Sequence, residues 1–304
     1  MLFRSEGFFP ATYSAGQNYR TADLGDVQAV RTMDCAGGAG ADQVDIIVGT
    51  KSPTAGQGTI EVWMSNNAAT PTYSRQEIYP PTGSIPGNVL GEVTAMALAD
   101  IDGDGRRDLI VGTHTNGFAG QVLVFKNVSK VNGLRFVYQT GVTLSSEAVT
   151  SLACGDFDGD GKTDVVVGTQ LTNTTGHLIQ FRNTTTAGVF SFSKVATADT
   201  PGFPMSLAVA DMGGSTHQDI ICGTRADVAT FVGGVRLYFM DTGLLPLTPT
   251  DPSAGNIVNM VPALTINNFN YGVKPSAPSP PFLQDFAAGV KTSATTGSLV
   301  VFVR

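Results

Sequence analysis

The chain has 304 residues, of which 42% are hydrophobic and only 14% are charged, and its formal net charge at pH 7 is −7. The acidic balance and the lack of a basic stripe argue against a nucleic-acid partner, and no apolar run approaches the roughly 20 residues of a membrane span. The three cysteines are odd in number and form no C-x-x-C pair, which argues against a disulfide framework or a zinc site. We expect them to be buried apolar side chains: Cys35, Cys154 and Cys222.

A strand-like segment with the pattern Asp, three mainly aliphatic residues, Gly and Thr recurs along the chain. Its copies are 45–50, 108–113, 164–169, 219–224 and a weaker one at 285–290. After a polar loop, each copy is followed by a second strand that ends on an aromatic residue: 59–63, 121–125, 177–181, 235–239 and 298–302. Short β-branched runs between polar loops are typical of β-strands. A period of about 60 residues therefore indicates a repeat protein.

Each repeat unit has room for about four short strands, and a single sheet of that size cannot bury both of its faces. Stacking such sheets around an axis buries them, which is the principle of the β-propeller. The sequence predicts an all-β, five-bladed propeller of four-stranded antiparallel blades. The single domain 1–304 would comprise blades at 27–80, 93–142, 149–198, 204–260 and 263–304, with the ring closed by an N-terminal strand within 2–13.

The five units share a glycine in the strand that begins with Asp. These residues are Gly49, Gly112, Gly168, Gly223 and Gly289. A glycine inside a strand often marks the close approach of another backbone. We expect all five to lie where neighbouring blades crowd the axis of the propeller.

Two nine-residue loops connect strands in the second and third units. Each has aspartates at positions 1, 3, 5 and 9 and glycines at positions 4 and 6. Alternate residues of a tight loop can direct their carboxylates to one point, and the glycine at position 6 permits a positive-φ bend. Converging carboxylates select a hard cation, and calcium tolerates irregular geometry better than magnesium. The predicted ligands are Asp100, Asp102, Asp104 and Asp108 in one loop and Asp156, Asp158, Asp160 and Asp164 in the other.

An EF-hand begins with the same pattern of residues, but the continuation differs. Position 12 of an EF-hand loop is a bidentate Glu, whereas here it is Val111 or Val167. The flanking segments are strands and not helices. The loops therefore join two strands of one sheet.

The D-x-D-G-D-G-x-x-D loop, followed by a D-[IVL]-[IVL]-V-G-T strand, resembles the FG-GAP/VCBS repeat of integrin-α-type propellers. The resemblance extends from about residue 27 to 304. It implies the propeller fold and two calcium ions, with the main-chain carbonyls of Arg106 and Lys162 as additional ligands. It does not define a function, because this fold is found in adhesins, lectin-like binders and accessory domains of enzymes.

The other three units depart from this loop pattern. The first retains Asp34, Asp42 and Asp45 and leaves open a degenerate third calcium site. The fourth, 211–219, keeps only its terminal aspartates, and the fifth keeps only Asp285. We expect no calcium in the fourth and fifth units.

The sequence favours a non-catalytic binding module that recognises carbohydrate or protein in cell adhesion. No motif of a nucleophile–base pair, zinc protease or phosphate loop is present, and His114, His177 and His217 share no motif spacing. The alternatives are a secreted carbohydrate-active enzyme, its accessory propeller, or a decorating domain of a larger surface assembly. The identity of the ligand, the oligomeric state and the source organism are left open.

The expected location is extracellular or at the cell surface. Calcium sites of this type need millimolar calcium, whereas the first residues lack the apolar segment of a signal peptide. We therefore expect a piece of a longer secreted protein. Three Asn-x-Ser/Thr patterns match the N-glycosylation signal and matter only for a eukaryotic source: 127–129, 173–175 and 183–185.

Overall fold

A computed structural model of the chain defines the architecture. It describes residues 25–35, 44–66, 72–79, 90–115, 117–129, 135–212, 217–229, 232–246, 249–250, 260–267, 285–291 and 297–302. Within these ranges all the regular secondary structure is β-strand, and the strands form antiparallel sheets. No helix in this part of the chain is long and apolar enough to cross a membrane.

The first sheet comprises β1 (Asp26–Met33), β2 (Asp45–Lys51), β3 (Ile60–Ser65) and β4 (Tyr73–Tyr79). The second comprises β5 (Glu92–Ala99), β6 (Asp108–His114), β7 (Gly120–Asn127) and β8 (Phe136–Leu144). The third comprises β9 (Ala148–Gly155), β10 (Asp164–Gln170), β11 (Gly176–Asn183) and β12 (Phe192–Thr200).

The C-terminal part of the described chain forms two smaller sheets. One comprises β13 (Phe203–Ala210), β14 (Asp219–Arg225) and β15 (Gly233–Tyr238). The other comprises β16 (Met260–Asn267), β17 (Asp285–Lys291) and β18 (Gly297–Phe302). Within every sheet, strands that are adjacent in sequence are paired antiparallel.

The number of complete blades differs from the prediction. The sheet β13–β15 has three strands and a single further antiparallel bridge, between Leu237 and Thr250. The sheet β16–β18 is three-stranded and packs against β13 and β14. In the described part of the chain the propeller therefore has four blades that follow the repeat, and the prediction of five four-stranded blades is wrong. The last repeat is also the weakest match to the sequence pattern, since alanines stand at 287 and 288 where the other copies have larger apolar residues, and small side chains bury less apolar surface.

The position of each strand in its sheet explains its sequence. The second strands β2, β6, β10 and β14 have a paired strand on both sides, so their central residues are apolar and the strands are almost fully buried. The outer strand β8 alternates between half-buried and exposed residues because one of its faces meets solvent. The first strands of consecutive sheets contact each other in sequence order, β1 with β5, β5 with β9, β9 with β13 and β13 with β16.

Glycine allows adjacent sheets to approach closely, as predicted for four of the five equivalent positions. A Cβ atom added to Gly168 would lie 2.6 Å from the Cβ of Pro204 in the next inner strand. Equivalent conflicts would arise between Gly49 and Val93, Gly112 and Val149, and Gly223 and Val261. Opposite these glycines the register of each inner strand shifts, which indicates a β-bulge.

Hydroxyl groups on the inner strands connect the sheets to each other. Thr94 donates a hydrogen bond from Oγ1 to the carbonyl oxygen of Val149, at 2.6 Å. Ser206 donates in the same way to Val261, at 2.9 Å. The N-terminal strand predicted within residues 2–13 to close the ring lies outside the described residues.

Candidate metal sites

The two acidic loops lie at the same end of the propeller, between the first and second strands of the second and third sheets. In the first loop, Asp100 Oδ1 accepts hydrogen bonds from the main-chain N–H groups of Gly103 and Asp104, at 2.9 and 3.1 Å. Its Oδ2 accepts one from Gly105 N–H at 2.8 Å. In the second loop, Asp156 accepts from Gly159 and Gly161 in the same way, at 2.8 and 2.9 Å. The aspartate at position 1 thus holds each loop in a closed turn.

Glycines make this turn possible in both loops. Gly103 and Gly105 have φ values of 76° and 84°, and Gly159 and Gly161 have 75° and 81°. L-residues with side chains rarely adopt these angles. The positive φ predicted at position 6 is confirmed, and position 4 needs it as well.

The aspartate at position 9 has a structural role that the sequence did not reveal. Asp108 is fully buried and accepts main-chain hydrogen bonds from Ile101, at 3.1 Å, and from Asn127 at the end of β7, at 2.9 Å. It therefore ties the loop to the third strand of its own sheet, and we call this hydrogen-bonded link the brace. The same brace exists at Asp164, which accepts from Asn183 at 2.7 Å.

The brace is also present in the two sheets whose loops lack the full set of aspartates. Asp45 accepts from Cys35 and Ser65, both at 2.9 Å. Asp219 accepts from Met212 and Met240, both at 2.8 Å. Retention of this aspartate in four sheets is therefore explained by hydrogen bonding, independently of any metal.

The structure brings together most of the predicted ligands. Oxygen atoms of Asp100, Asp102 and Asp108 lie within 4.8 Å of one another, and so do those of Asp156, Asp158 and Asp160. Asp104 is not in the first group and Asp164 is not in the second. Whether the carbonyl oxygens of Arg106 and Lys162 complete the coordination stays a prediction.

A buried carboxylate oxygen in the first loop fits a bound cation. The side chain of Asp102 is only 2% exposed, and its Oδ1 has no hydrogen-bond partner. An unpaired buried carboxylate oxygen is costly, and a hard cation with oxygen ligands would satisfy it. The arrangement can therefore hold Ca²⁺ or a similar ion in this loop.

The electrostatics of the loops also favour a cation. Burial, and then the nearby charges of Asp102 and Asp104, raises the pKa of Asp108 to about 6. Burial, and then the charges of Asp158 and Asp160, raises the pKa of Asp164 to about 6 as well. Burial also acts to raise the pKa of Asp104, but hydrogen bonds from Lys126 and from the main chain of Arg106 outweigh it, so this pKa is lowered.

Basic side chains at position 7 anchor each loop to a main-chain carbonyl of its own sheet. Arg106 donates from Nη1 to the carbonyl oxygen of Ser129, at 2.8 Å. Lys162 donates from Nζ to the carbonyl oxygen of Thr185, at 3.2 Å. Ser129 and Thr185 lie in equivalent turns after β7 and β11. Both contacts fix the loop against the outer part of its own sheet.

Two asparagines connect each loop to its neighbours. Asn127 donates from Nδ2 to the carbonyl oxygen of Arg107, at 3.2 Å, and Asn183 to that of Thr163, at 3.0 Å. Asn183 also reaches the carbonyl oxygen of Ile101 in the preceding loop, at 2.8 Å. These residues begin two of the glycosylation patterns, and the repetition of Asn-x-Ser/Thr at the end of β7 and β11 was the available sequence signal for their role.

Two basic residues that the sequence did not single out lie against the carboxylates. Lys126 pairs with Asp102, and with Asp104 Oδ2 at 3.1 Å. Arg182 pairs with Asp158, at 2.5 Å between Nε and Oδ2. Each lies one residue before the asparagine that ends its strand, so its role became visible only from the register of the strands.

The degenerate loops show different outcomes. Asp42, which the third calcium site would need, lies outside the described residues. In the fourth unit, Gln218 Oε1 accepts a hydrogen bond from the main chain of Asp156, at 3.0 Å. This loop therefore supports its neighbour's acidic loop.

Two of the three histidines lie at the opposite end of the sheets. His114 Nδ1 lies 3.5 Å from Glu92 Oε2, and His177 Nδ1 lies 3.0 Å from Glu147 Oε2. They belong to different sheets, and each has a carboxylate neighbour of its own. Cys35 and Cys222 are buried as expected, while Cys154 is partly buried and its pKa is raised to about 12 by burial.

The fold and the loops define a class of protein: a repeat β-propeller with acidic loops at one end of its sheets. The model of the FG-GAP-like repeat matches residues 100–167 and 156–222. These matches cover both acidic loops, and residues 100–222 are similar to FG-GAP repeats, as the resemblance of the motifs predicted. Propellers of this type are generally binding modules and typically not enzymes. No curated protein matches the chain.

Proposed function

We propose that the chain is a calcium-stabilised, extracellular propeller that acts as a non-catalytic binding or adhesion module for a protein or carbohydrate ligand. In this proposal the two ions have a structural role. Each would neutralise carboxylates that otherwise repel one another and would hold the loop against the sheet. The four repeat blades then present a rigid surface to a partner.

The observation that supports calcium most strongly is the unpaired, buried Oδ1 of Asp102 beside Asp100 and Asp108. Four aspartates with two backbone-defining glycines recur in the second loop with the same hydrogen-bonding pattern. All the side-chain ligands are oxygens, which favours calcium over zinc or copper. The expected dissociation constants are about 10⁻⁴–10⁻³ M, as in extracellular modules.

Calorimetric titration with calcium and with magnesium tests the metal. The wild-type chain is expected to bind two calcium ions and to prefer calcium to magnesium. Asp100→Asn and Asp156→Asn are each expected to retain a single site. Asp26→Asn is the matched control, since Asp26 is exposed at the start of β1, at the end of the sheet remote from the loops. Absence of calcium binding at millimolar concentration would refute the proposed role of the metal.

A glycan array and a panel of extracellular-matrix proteins, probed with and without chelator, test the binding role. We expect a ligand whose binding is weakened by chelator because the propeller loosens when its loops lose calcium. Retention of the same ligand by the Asp26→Asn control and its loss from a double loop variant would support the proposal. Hydrolysis of a glycan during the assay would instead favour the carbohydrate-active enzyme.

A further inference from the structure

We propose that Lys126 and Arg182 are built-in counter-cations of the two acidic loops, which compete with calcium for the same carboxylates and thereby set the affinity of each site. This inference rests on the proposed calcium binding. Lys126 Nζ forms an ion pair with Asp102 and lies 3.1 Å from Asp104 Oδ2. Arg182 Nε lies 2.5 Å from Asp158 Oδ2.

The Lys126 side chain is held in position by its surroundings. The Lys126 side chain is 23% exposed, and its Nζ lies 5.9 Å from the centre of the Phe190 ring in the next sheet. An ammonium over an aromatic ring gains a further favourable interaction. Lys126 therefore approaches the loop as part of the interface between two sheets and is not a freely moving surface lysine.

The distribution of basic residues among the sheets supports the pairing. The brace identifies equivalent positions in four sheets. Its donor at the end of the third strand is, in sheet order, Ser65, Asn127, Asn183 and Met240. The preceding residues are Met64, Lys126, Arg182 and Phe239. Of these four sheets, only the two with four loop aspartates have a basic residue at this position.

The contacts predict how calcium binding must proceed. Asp102 Oδ2 cannot bind Lys126 and a calcium ion strongly at the same time, because two cations beside one carboxylate repel each other. Binding of the ion therefore displaces the ammonium from Asp102. Lys126 contacts two carboxylates and Arg182 contacts one, so the loop 100–108 is expected to bind calcium more weakly than the loop 156–164.

In the absence of calcium the same ion pairs stabilise the loops. Four carboxylates in one loop repel each other, and the adjacent cation offsets part of that repulsion. The fold is therefore expected to persist without metal. Thermal unfolding should remain cooperative, at a lower melting temperature.

The test uses Lys126→Met and Arg182→Met, because methionine occupies the equivalent position in the first sheet. Lys126→Gln is a second variant in case the first folds poorly. We expect the calcium affinity of the loop next to each substitution to increase about tenfold, the order expected when one competing positive charge is removed from beside a carboxylate. The melting temperature in chelator is expected to fall. Lys51→Met is the matched control: it removes the same charge at the opposite end of its sheet, where Lys51 pairs with Glu92 at 3.3 Å.

The possible results separate this inference from the proposed function. If the wild type binds two calcium ions and the variants bind them no more tightly than Lys51→Met does, the counter-cation inference is wrong and the calcium sites stand. If the wild type binds no calcium, the proposed metal role fails. In that case a gain of calcium binding in the variants, or a lower melting temperature in chelator, would still support the inference, and the absence of both would overturn it.

Discussion

Asn183 donates its side-chain amide to the main-chain carbonyl of Ile101, 2.8 Å away, and so ties the third sheet to the acidic loop of the second. The same amide group also reaches Thr163, at 3.0 Å, in the loop of its own sheet. One buried asparagine thus bridges two neighbouring candidate calcium sites. The side chain therefore holds the two loops at a fixed distance from each other.

Replacement of Asn183 by Ala should be clearly destabilising. Asn183 is 1% exposed, and its loss would leave one buried and one partly buried carbonyl oxygen without their donor. Each unsatisfied buried group costs about 1–3 kcal/mol. Denaturant unfolding would measure the change, with Asn173→Ala in an exposed loop as the control. Equal stability of the two variants would contradict the bridging role.

Replacement of Gly168 should show how closely the sheets approach. Gly168→Ala would place a Cβ 2.6 Å from Pro204 Cβ, and Gly168→Val would add further atoms at the same point. We expect losses of about 1–3 kcal/mol for alanine and more for valine, because overpacking of a tight interface is unfavourable. Thermal unfolding of both variants measures this. A valine variant as stable as the parent would mean that the interface is looser than described.

Comparison of Asp219→Asn with Asp108→Asn separates the brace from the metal site. Both residues are buried and each accepts two main-chain hydrogen bonds, but only Asp108 belongs to an acidic cluster. Hydrogen bonds to a charged group contribute about 1.5–3 kcal/mol each. Both variants should therefore be less stable in chelator.

Only Asp108→Asn should also lose stabilisation by calcium. The measurement is the melting temperature of each variant in calcium and in EGTA. If Asp219→Asn weakened the response to calcium as much as Asp108→Asn did, the metal would have to depend on the fourth unit as well.

The response to calcium should increase with pH. Asp108 and Asp164 have folded pKa values raised to about 6, above the value of about 3.9 for an unfolded aspartate. Without metal, folding favours their protonated forms, so this contribution to stability is present at low pH and is lost as the pH rises through about 6. Calcium binds the deprotonated forms. The difference in melting temperature between calcium and EGTA should therefore grow from pH 5 to pH 7, and a constant difference would contradict this.

Glycosylation should occur at one of the three matching patterns if the chain is made in a eukaryotic secretory pathway. Asn127 and Asn183 are 2% and 1% exposed and use their side-chain amides as hydrogen-bond donors inside the fold. Asn173 is exposed in the loop after β10. Mass spectrometry of glycopeptides is expected to find a glycan at Asn173 alone. Occupancy at Asn183 would mean that modification precedes folding of that sheet.

The repeat, the all-β class and the acidic loops could be predicted from the sequence because each depends on local patterns. Alternation and apolar runs define strands over five to eight residues. The loop pattern places its aspartates and glycines within nine consecutive residues, and the loop closes on itself through Asp100 or Asp156. The tight contacts at the repeated glycines also followed from sequence, because a glycine inside a strand weakens it and is retained mainly where another backbone approaches or the strand bulges.

The tertiary structure alone decided which residues act across strands and between sheets. The number of blades depends on how the repeat units pack against one another, and the local pattern of each unit does not determine it, which is why the predicted count was wrong. The brace at Asp108, the bridge at Asn183 and the ion pair of Lys126 join residues separated by 19, 82 and 24 positions. Contacts over such distances arise from strand register and from the stacking of sheets, and these depend on the whole chain rather than on any local segment.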